Sequence, residues 1–354
     1  MRTTDDVKNE VFGSIEYITE IEEIGRAHLI GCGQSRNLRT TFLNMQAFVR
    51  QAKTFYRSAE TLDYRASSLS YYYSFLNLVK AYIATEEPEK IRGKVHHGLI
   101  KLNGTRTSDR QILEVRNGVF PTFYHLVTGQ RLKLKTRFKV FDLLGYCSDV
   151  GLEYEIGGFG RHRITPCRAI VASEQNTGPY FGLIAVCDFE KLEPHKKTLS
   201  AFYSRLEEVD LDSNSCRELF KMYAEEKRRY RFFETRRLFP VNVDARIPTG
   251  QIMSHVYDGL RPFFEQTPYT EAGDFTLVAP LRKNLQIPMR ESVAIYAVMF
   301  FLSSLVRYDP TYLEKILASR EAWIFKRFVS TAPITFLRRI RNLIDRRNFI
   351  YRSR

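Results

Sequence analysis

The stretch that decides the fold is Ser67–Leu99, which reads SSLSYYYSFLNLVKAYIATEEPEKIRGKVHHGL. Its first part lies within Arg65–Thr85, where apolar and aromatic residues recur at helical spacing and predict a strong helix. Pro88 and Gly93 then mark a turn, and we expect a further short element to begin near Val95. Tyrosines on such a helix pack their rings inward while their hydroxyl groups reach water or a partner.

The same analysis extends to both sides of this stretch. Phe42–Leu62 predicts an amphipathic helix, whereas Arg163–Ala172 and Tyr180–Phe189 are short runs typical of strands. The helical period returns near the C-terminus in three runs, Val293–Arg307, Tyr312–Leu317 and Pro333–Arg346. We therefore predict a predominantly helical α+β protein, in which N- and C-terminal helices form one bundle around an inserted strand-containing region.

This pattern divides the chain into four parts. We expect an acidic N-terminal segment over residues 1–41, a helical region over 42–104, a mixed α/β insertion over 105–288 and a C-terminal helical region over 289–354 that completes the bundle. Hydrophobic residues make up 44% of the chain and charged residues 27%, which favours packed globular structure over disorder.

The composition also indicates the cellular compartment of the protein and whether it needs a metal or another cofactor. The five cysteines are odd in number and far apart, which is typical neither of a disulfide framework nor of a zinc site. The polar opening Met1–Glu10 predicts no signal peptide, and the apolar stretch Val293–Val306 is too short to span a bilayer. We therefore expect a cytoplasmic protein that contacts no membrane and needs neither a metal nor another cofactor.

The net charge of +14 is unevenly distributed. The last 35 residues hold ten basic side chains and two acidic ones, whereas Met1–Gly25 holds two basic and seven acidic. Arginine outnumbers lysine 37 to 17, and its guanidinium group makes bidentate phosphate contacts and stacks on bases. We predict nucleic-acid contacts at eight arginines: Arg228, Arg229, Arg231, Arg338, Arg339, Arg341, Arg346 and Arg347.

A second interpretation of these basic stretches stays open. They are also consistent with solvated helix faces whose arginines form salt bridges with nearby glutamates, such as Glu225, Glu226 and Glu234, or with the acidic N-terminus.

The Ser67–Leu99 stretch resembles the HEPN helical domain family, in which a tyrosine-rich helix with a Lys-Ala pair precedes a Lys-x-x-His-Gly-Leu turn. The resemblance implies a helical bundle, and it implies a homodimer because HEPN domains commonly dimerise. The matching positions are Tyr72, Tyr73, Phe75, Lys80, Ala81, Lys94, His97, Gly98 and Leu99.

A second resemblance is dispersed over most of the chain and involves the bacterial YaaC-like proteins. It is carried by Ser303–Tyr308, by Val119-Phe120 and by Phe141–Leu144. Further matching positions lie near the C-terminus, at Pro310, Trp323, Ile324, Phe328, Pro333 and Phe336. This family implies no particular activity.

Many HEPN domains are metal-independent ribonucleases, in which an arginine stabilises the phosphorane charge and a histidine moves the proton of the attacking hydroxyl. The resemblance places the arginine on a late helix, at Arg341, but no histidine follows it there. A composite site of Arg92, His97 and Arg341 would form if the last helices packed against Arg65–Thr85. Alternatively, His96 and His97 lie in a turn where their imidazoles cap backbone carbonyls or a carboxylate.

Two functions therefore remain. The first is an interaction protein that binds RNA, DNA or a protein partner through its arginine-rich C-terminal helix without catalysis. The second is an HEPN-type endoribonuclease, acting as a toxin or effector in stress or phage defence. The missing histidine favours the first.

Overall fold

In the computed structural model, the described residues are 4–93, 95–103, 111–173, 179–191, 196–209, 230–240, 251–252, 255, 264–266, 274–279, 281 and 287–346. They form two compact units: one comprises Met1–His162 with Glu291–Phe349, and the other comprises Arg163–Arg290. Six residues named in the predictions lie outside the described residues: Lys94, Glu225, Glu226, Arg228, Arg229 and Arg347.

The helices, in chain order, are α1 (Thr4–Glu20), α2 (Glu22–Gly31), α3 (Leu38–Thr61), α4 (Tyr64–Glu86), α5 (Val119–Thr128), α6 (Val140–Leu144), α7 (Gly151–Ile156), α8 (Lys196–Tyr203), α9 (Glu291–Tyr308), α10 (Pro310–Leu317) and α11 (Ala322–Asp345). The strands are β1 (His97–Lys101), β2 (Ile112–Gly118), β3 (Arg137–Lys139), β4 (Ile164–Ser173), β5 (Tyr180–Cys187), β6 (Leu206–Val209), β7 (Tyr230–Thr235), β8 (Phe264–Gln266) and β9 (Asp274–Val278). The predominantly helical α+β class predicted from the sequence is confirmed.

The helical unit is built around α4 and α9, which are buried on nearly all sides. Every residue of α9 from Glu291 to Leu305 is buried, as are most residues of α4 from Tyr72 onward. Phe75 of α4 stacks on Phe336 of α11 with ring centroids 4.0 Å apart. Helices from both ends of the chain therefore share one core.

A small antiparallel sheet, in the order β1-β2-β3, belongs to this helical unit. Phe120 of α5 stacks on Tyr296 of α9, and Phe141 of α6 contacts Phe325 of α11. Because residues 111–162 pack with the helices in this way, the separate strand unit begins at Arg163 and not at residue 105.

The strand unit is a six-stranded antiparallel sheet in the order β6-β7-β5-β4-β9-β8. Its core is apolar and rich in aromatic rings. Phe233 of β7 packs against Phe202 of α8, with ring centroids 4.7 Å apart, and against Phe189, at 4.9 Å.

Within the described chain, α9 is the one helix long and apolar enough to cross a membrane. The protein itself buries 83% of that segment, so α9 serves as the core helix of the bundle.

An ion pair inside the helical core ties α11 to α9. Arg339 donates from Nε to Oε2 of Glu291 at 2.6 Å, and the backbone N–H of Ser148 donates to the other carboxylate oxygen at 2.6 Å. The Glu291 side chain is 0% exposed and that of Arg339 is 7% exposed. A buried carboxylate needs this pairing, because removing its partner leaves an uncompensated charge away from water.

We expect Arg339→Ala to lower the free energy of unfolding of the helical unit by about 3–5 kcal/mol, because Glu291 would lose its counter-charge. The matched control is Arg346→Ala, which removes the exposed pair with Glu86 and should cost at most about 1 kcal/mol. Urea unfolding followed by circular dichroism measures both, and equal losses in the two variants would contradict a core role for Arg339.

Candidate functional site

The His97-Gly98 turn is shaped by two glycines in the left-handed region. Gly98 has φ +83° and Gly118 has φ +140°. A Cβ atom on Gly118 would lie 2.2 Å from the carbonyl oxygen of His96, which accepts a 2.9 Å hydrogen bond from the N–H of Val119. The pairing of β1 with β2 is irregular just after His97, and such bulges re-aim a side chain. The backbone of this turn therefore sets the direction of His97.

His97 enters the space between α4 and α9. Its Nδ1 lies 2.7 Å from Oη of Tyr72, which in turn lies 3.4 Å from Oη of Tyr296. Burial raises the pKa of both tyrosines, so their phenol groups stay protonated. The Phe300 ring also contacts His97, at 6.2 Å between centroids. The predicted tyrosine helix thus holds the predicted histidine through one short hydrogen bond.

The surroundings of His97 are electropositive. The pKa of His97 is lowered to about 4, chiefly by burial and in addition by the positive charges of Arg307 and Lys80. The ring is therefore neutral at pH 7. Burial also lowers the pKa of Lys80, whose Nζ lies 5.5 Å from the centroid of the Phe48 ring.

Arg307, at the end of α9, is surrounded by tyrosine rings. Its guanidinium carbon lies 5.8 Å from the ring centroid of Tyr72, 5.7 Å from that of Tyr73 and 4.9 Å from that of Tyr308. The guanidinium donates to the Ser303 carbonyl at 3.2 Å and to Tyr73 Oη at 3.3 Å. Among the described residues it forms no salt bridge with a carboxylate, and Tyr308 is 74% exposed. We name Arg307, Lys80, His97, Tyr73 and Tyr308 the Arg307 site.

The structure does not assemble the predicted site of Arg92, His97 and Arg341. The Arg341 guanidinium is buried, donates to Oγ of Ser14 in α1 at 3.0 Å and lies 3.9 Å from Asp345. Arg92 is exposed and lines a different cleft. The arginine whose charge acts on His97 is Arg307.

The predicted nucleic-acid contacts need a similar correction. Arg339 and Arg341 are buried within the helical unit, so they cannot form an exposed basic surface. Arg338 is partly buried. Arg346 is exposed but pairs with Glu86.

In the strand unit, Arg231 pairs with Glu208 on the neighbouring strand and lies over the Phe189 ring. For Arg231 and Arg346, the salt-bridge interpretation therefore describes the geometry better than a phosphate-binding surface does.

Sequence reasoning missed Arg307 as a functional residue. The pair Arg307-Tyr308 lies in a stretch that carried the YaaC-like resemblance, but no spacing links it to His97, which lies about 200 positions earlier. In the described chain no three His, Cys, Asp or Glu side chains are grouped to hold a metal ion.

Comparison with known proteins gives one match. A family model described as YaaC-like protein matches residues 32–344, which is most of the chain. Searches of curated proteins and of solved structures found no significant match.

The lowered pKa of His97 predicts an acid-sensitive contribution to stability. Between pH 6.5 and pH 4 the unfolded chain protonates this histidine while the folded chain keeps it neutral, so stability falls as the pH falls. Allowing for partial exposure, we expect a loss of about 1–2 kcal/mol over that range that is absent in His97→Gln. Urea unfolding at pH 7 and pH 5 checks this, and identical pH dependence in both proteins would contradict it.

Proposed function

The chain belongs to the YaaC-like protein family, and for this member we propose that it binds single-stranded nucleic acid at the Arg307 site without cleaving it. The observation that carries the proposal is the Arg307 guanidinium itself. It is half-buried, held by tyrosine rings, and matched by no carboxylate among the described residues. A partly desolvated cation without a counter-charge favours an anionic ligand.

The chemistry of the neighbouring side chains supports nucleic acid as that ligand. Arg307 can donate two N–H groups to one phosphate, and Lys80 adds a second positive charge close to His97. Tyr308 presents an exposed ring beside the guanidinium, and exposed aromatic rings stack on unpaired bases with little sequence preference. The Arg307 guanidinium would thus bind the phosphate of a strand, and the neighbouring Tyr308 ring would stack on its base.

The state of His97 supports binding over catalysis. A general base works best when its pKa lies near the working pH, and the pKa of His97 is about 4. Its Nδ1 is also engaged by the Tyr72 hydroxyl at 2.7 Å. In this environment His97 is a weak proton acceptor at neutral pH, so its role is to contribute hydrogen bonding to the bound strand.

One observation favours endoribonuclease activity as a second candidate. Arg307 and His97 both contact Tyr72, so one region of the helical unit holds the kind of cation and imidazole that metal-independent RNA cleavage requires. A phosphate bound at Arg307 would offset the positive charges that lower the pKa of His97. A toxin or defence role would follow from this candidate through the HEPN resemblance. The homodimer and the cytoplasmic location expected from the sequence remain predictions.

The test is fluorescence anisotropy with labelled 20-nucleotide RNA and DNA strands at two salt concentrations. We expect salt-dependent binding, weakened about tenfold or more by Arg307→Gln and by Tyr308→Ala. Tyr308 is exposed, so its replacement should leave the fold intact. The matched control is Arg50→Ala, which removes an exposed arginine paired with Glu20 and should bind like the wild type.

The same reactions are run on a gel to score cleavage. Unchanged affinity in both variants, or no binding by the wild type, would show that the Arg307 site does not hold nucleic acid. RNA cleavage that is abolished by His97→Ala would replace the binding proposal with the endoribonuclease candidate.

A further inference from the structure

A cleft of about 840 Å³ opens beside the His-Gly turn in the helical unit. Its wall is formed by residues around the 3₁₀ turn Pro88–Ile91, by the amino end of α5 and by residues 131–134. His96 lines this cleft, whereas its neighbour His97 belongs to the Arg307 site. A volume of this size is typical of sites that hold a small organic ligand.

Three cations line the cleft: Lys90, Arg92 and Arg131. All three are exposed, and within the described chain none of them forms an ion pair. Glu87 and Glu89 line the same cleft, so the excess of positive charge is small and local. Such a balance suits one compact anionic group better than the long backbone of a polyanion.

Uncharged donors and acceptors add to the cations. Nδ1 of His125, a residue of the cleft wall, is buried without a hydrogen-bond partner in the described part of the protein. A buried polar atom of this kind costs free energy until a ligand or a water molecule satisfies it. α5 begins at Val119, its N-cap Gly118 has no side chain to cap it, and its positive end favours an anion.

Part of the wall is apolar. Val95, Pro121, Leu132 and Leu134 lie among the polar groups, and Leu134 is half-exposed. A ligand that fits this lining carries one anionic group at one end and a flat or apolar body at the other.

We propose that this cleft binds a nucleoside monophosphate, with the phosphate against Lys90, Arg92 and Arg131 and the base against Leu132 and Leu134. The same chemical group occurs as a free nucleotide and as the 5′-phosphorylated end of a strand. The proposal goes beyond nucleic-acid binding at the Arg307 site, because none of its residues belongs to that site.

Isothermal titration calorimetry of the full chain tests the cleft with AMP and with adenosine. We expect AMP to bind at least tenfold more tightly than adenosine, because adenosine lacks the phosphate. Arg92→Ala and Arg131→Ala should each weaken AMP binding about tenfold, as expected for loss of a charge-assisted hydrogen bond. Glu89→Gln should tighten it roughly twofold by removing a nearby negative charge, an effect that damage to the fold would not produce. Arg50→Ala, on another surface, should bind AMP like the wild type.

Equal affinity for AMP and adenosine, no AMP binding at millimolar concentration, or unchanged binding in Arg92→Ala and Arg131→Ala would each overturn the proposal. Two further arms use the dinucleotide ApA with and without a 5′-phosphate. Tighter binding of the phosphorylated dinucleotide than of AMP assigns the cleft to strand ends, and tighter binding of AMP assigns it to the free nucleotide. Because AMP contains no strand, a failure of AMP to bind the cleft would not contradict nucleic-acid binding at the Arg307 site. A failure of RNA and DNA to bind at the Arg307 site would likewise not contradict AMP binding in the cleft.

Discussion

The helical unit depends on the packing of α4 against α9, two helices that have almost no exposed face. Helices buried to this extent need partners for most of the polar groups they carry, because a buried polar group without a partner costs free energy. Among the described residues, Oγ of Ser74 in α4 is an exception that has no hydrogen-bond partner. Tyr72 pairs with Tyr296 and with Nδ1 of His97, and Tyr296 finds its partner in Tyr72. At one end of α9, Glu291 meets the same need by accepting hydrogen bonds from Arg339 and Ser148. The candidate site and the buried ion pair are therefore two solutions to the same constraint.

The His-Gly turn places two neighbouring histidines in two different candidate sites for anions. His96 and His97 are consecutive residues, yet one lines an open cleft while the other points between two buried helices. The first environment is open to solvent and lined by exposed cations. The second is partly buried, and this burial is the main reason why the pKa of His97 is lowered, with the charges of Arg307 and Lys80 adding to it. A single bulge in β1 therefore gives adjacent imidazoles different electrostatic surroundings.

The sequence allowed prediction of the elements whose signal is local. The spacing of apolar residues predicted the tyrosine helix and the return of helical structure near the C-terminus, although α11 begins at Ala322 and contains Pro333, where the predicted run began. Pro88 and Gly93 predicted the turn after the tyrosine helix. The roles of the arginines could not be predicted in this way, because the partners of Arg339 and Arg341 lie 48 and 327 positions away, at Glu291 and Ser14. A basic stretch has the same composition whether its guanidinium groups face solvent or a buried carboxylate. Only the tertiary fold distinguishes these cases. The relation between Arg307 and His97 could not be predicted either, because the two residues lie far apart in the sequence.

The core of the helical unit joins segments that leave the ribosome at different times. α4 ends at Glu86, and α9, which covers it, begins about 200 residues later. Synthesis proceeds at about 5–20 residues per second, so the apolar surface of α4 waits on the order of 10 seconds or more for its partner. During that interval the nascent chain exposes a row of tyrosine, phenylalanine and leucine side chains. Because one core is built from both ends of the polypeptide, we expect chaperones to bind this segment during synthesis and chains truncated before residue 291 to aggregate.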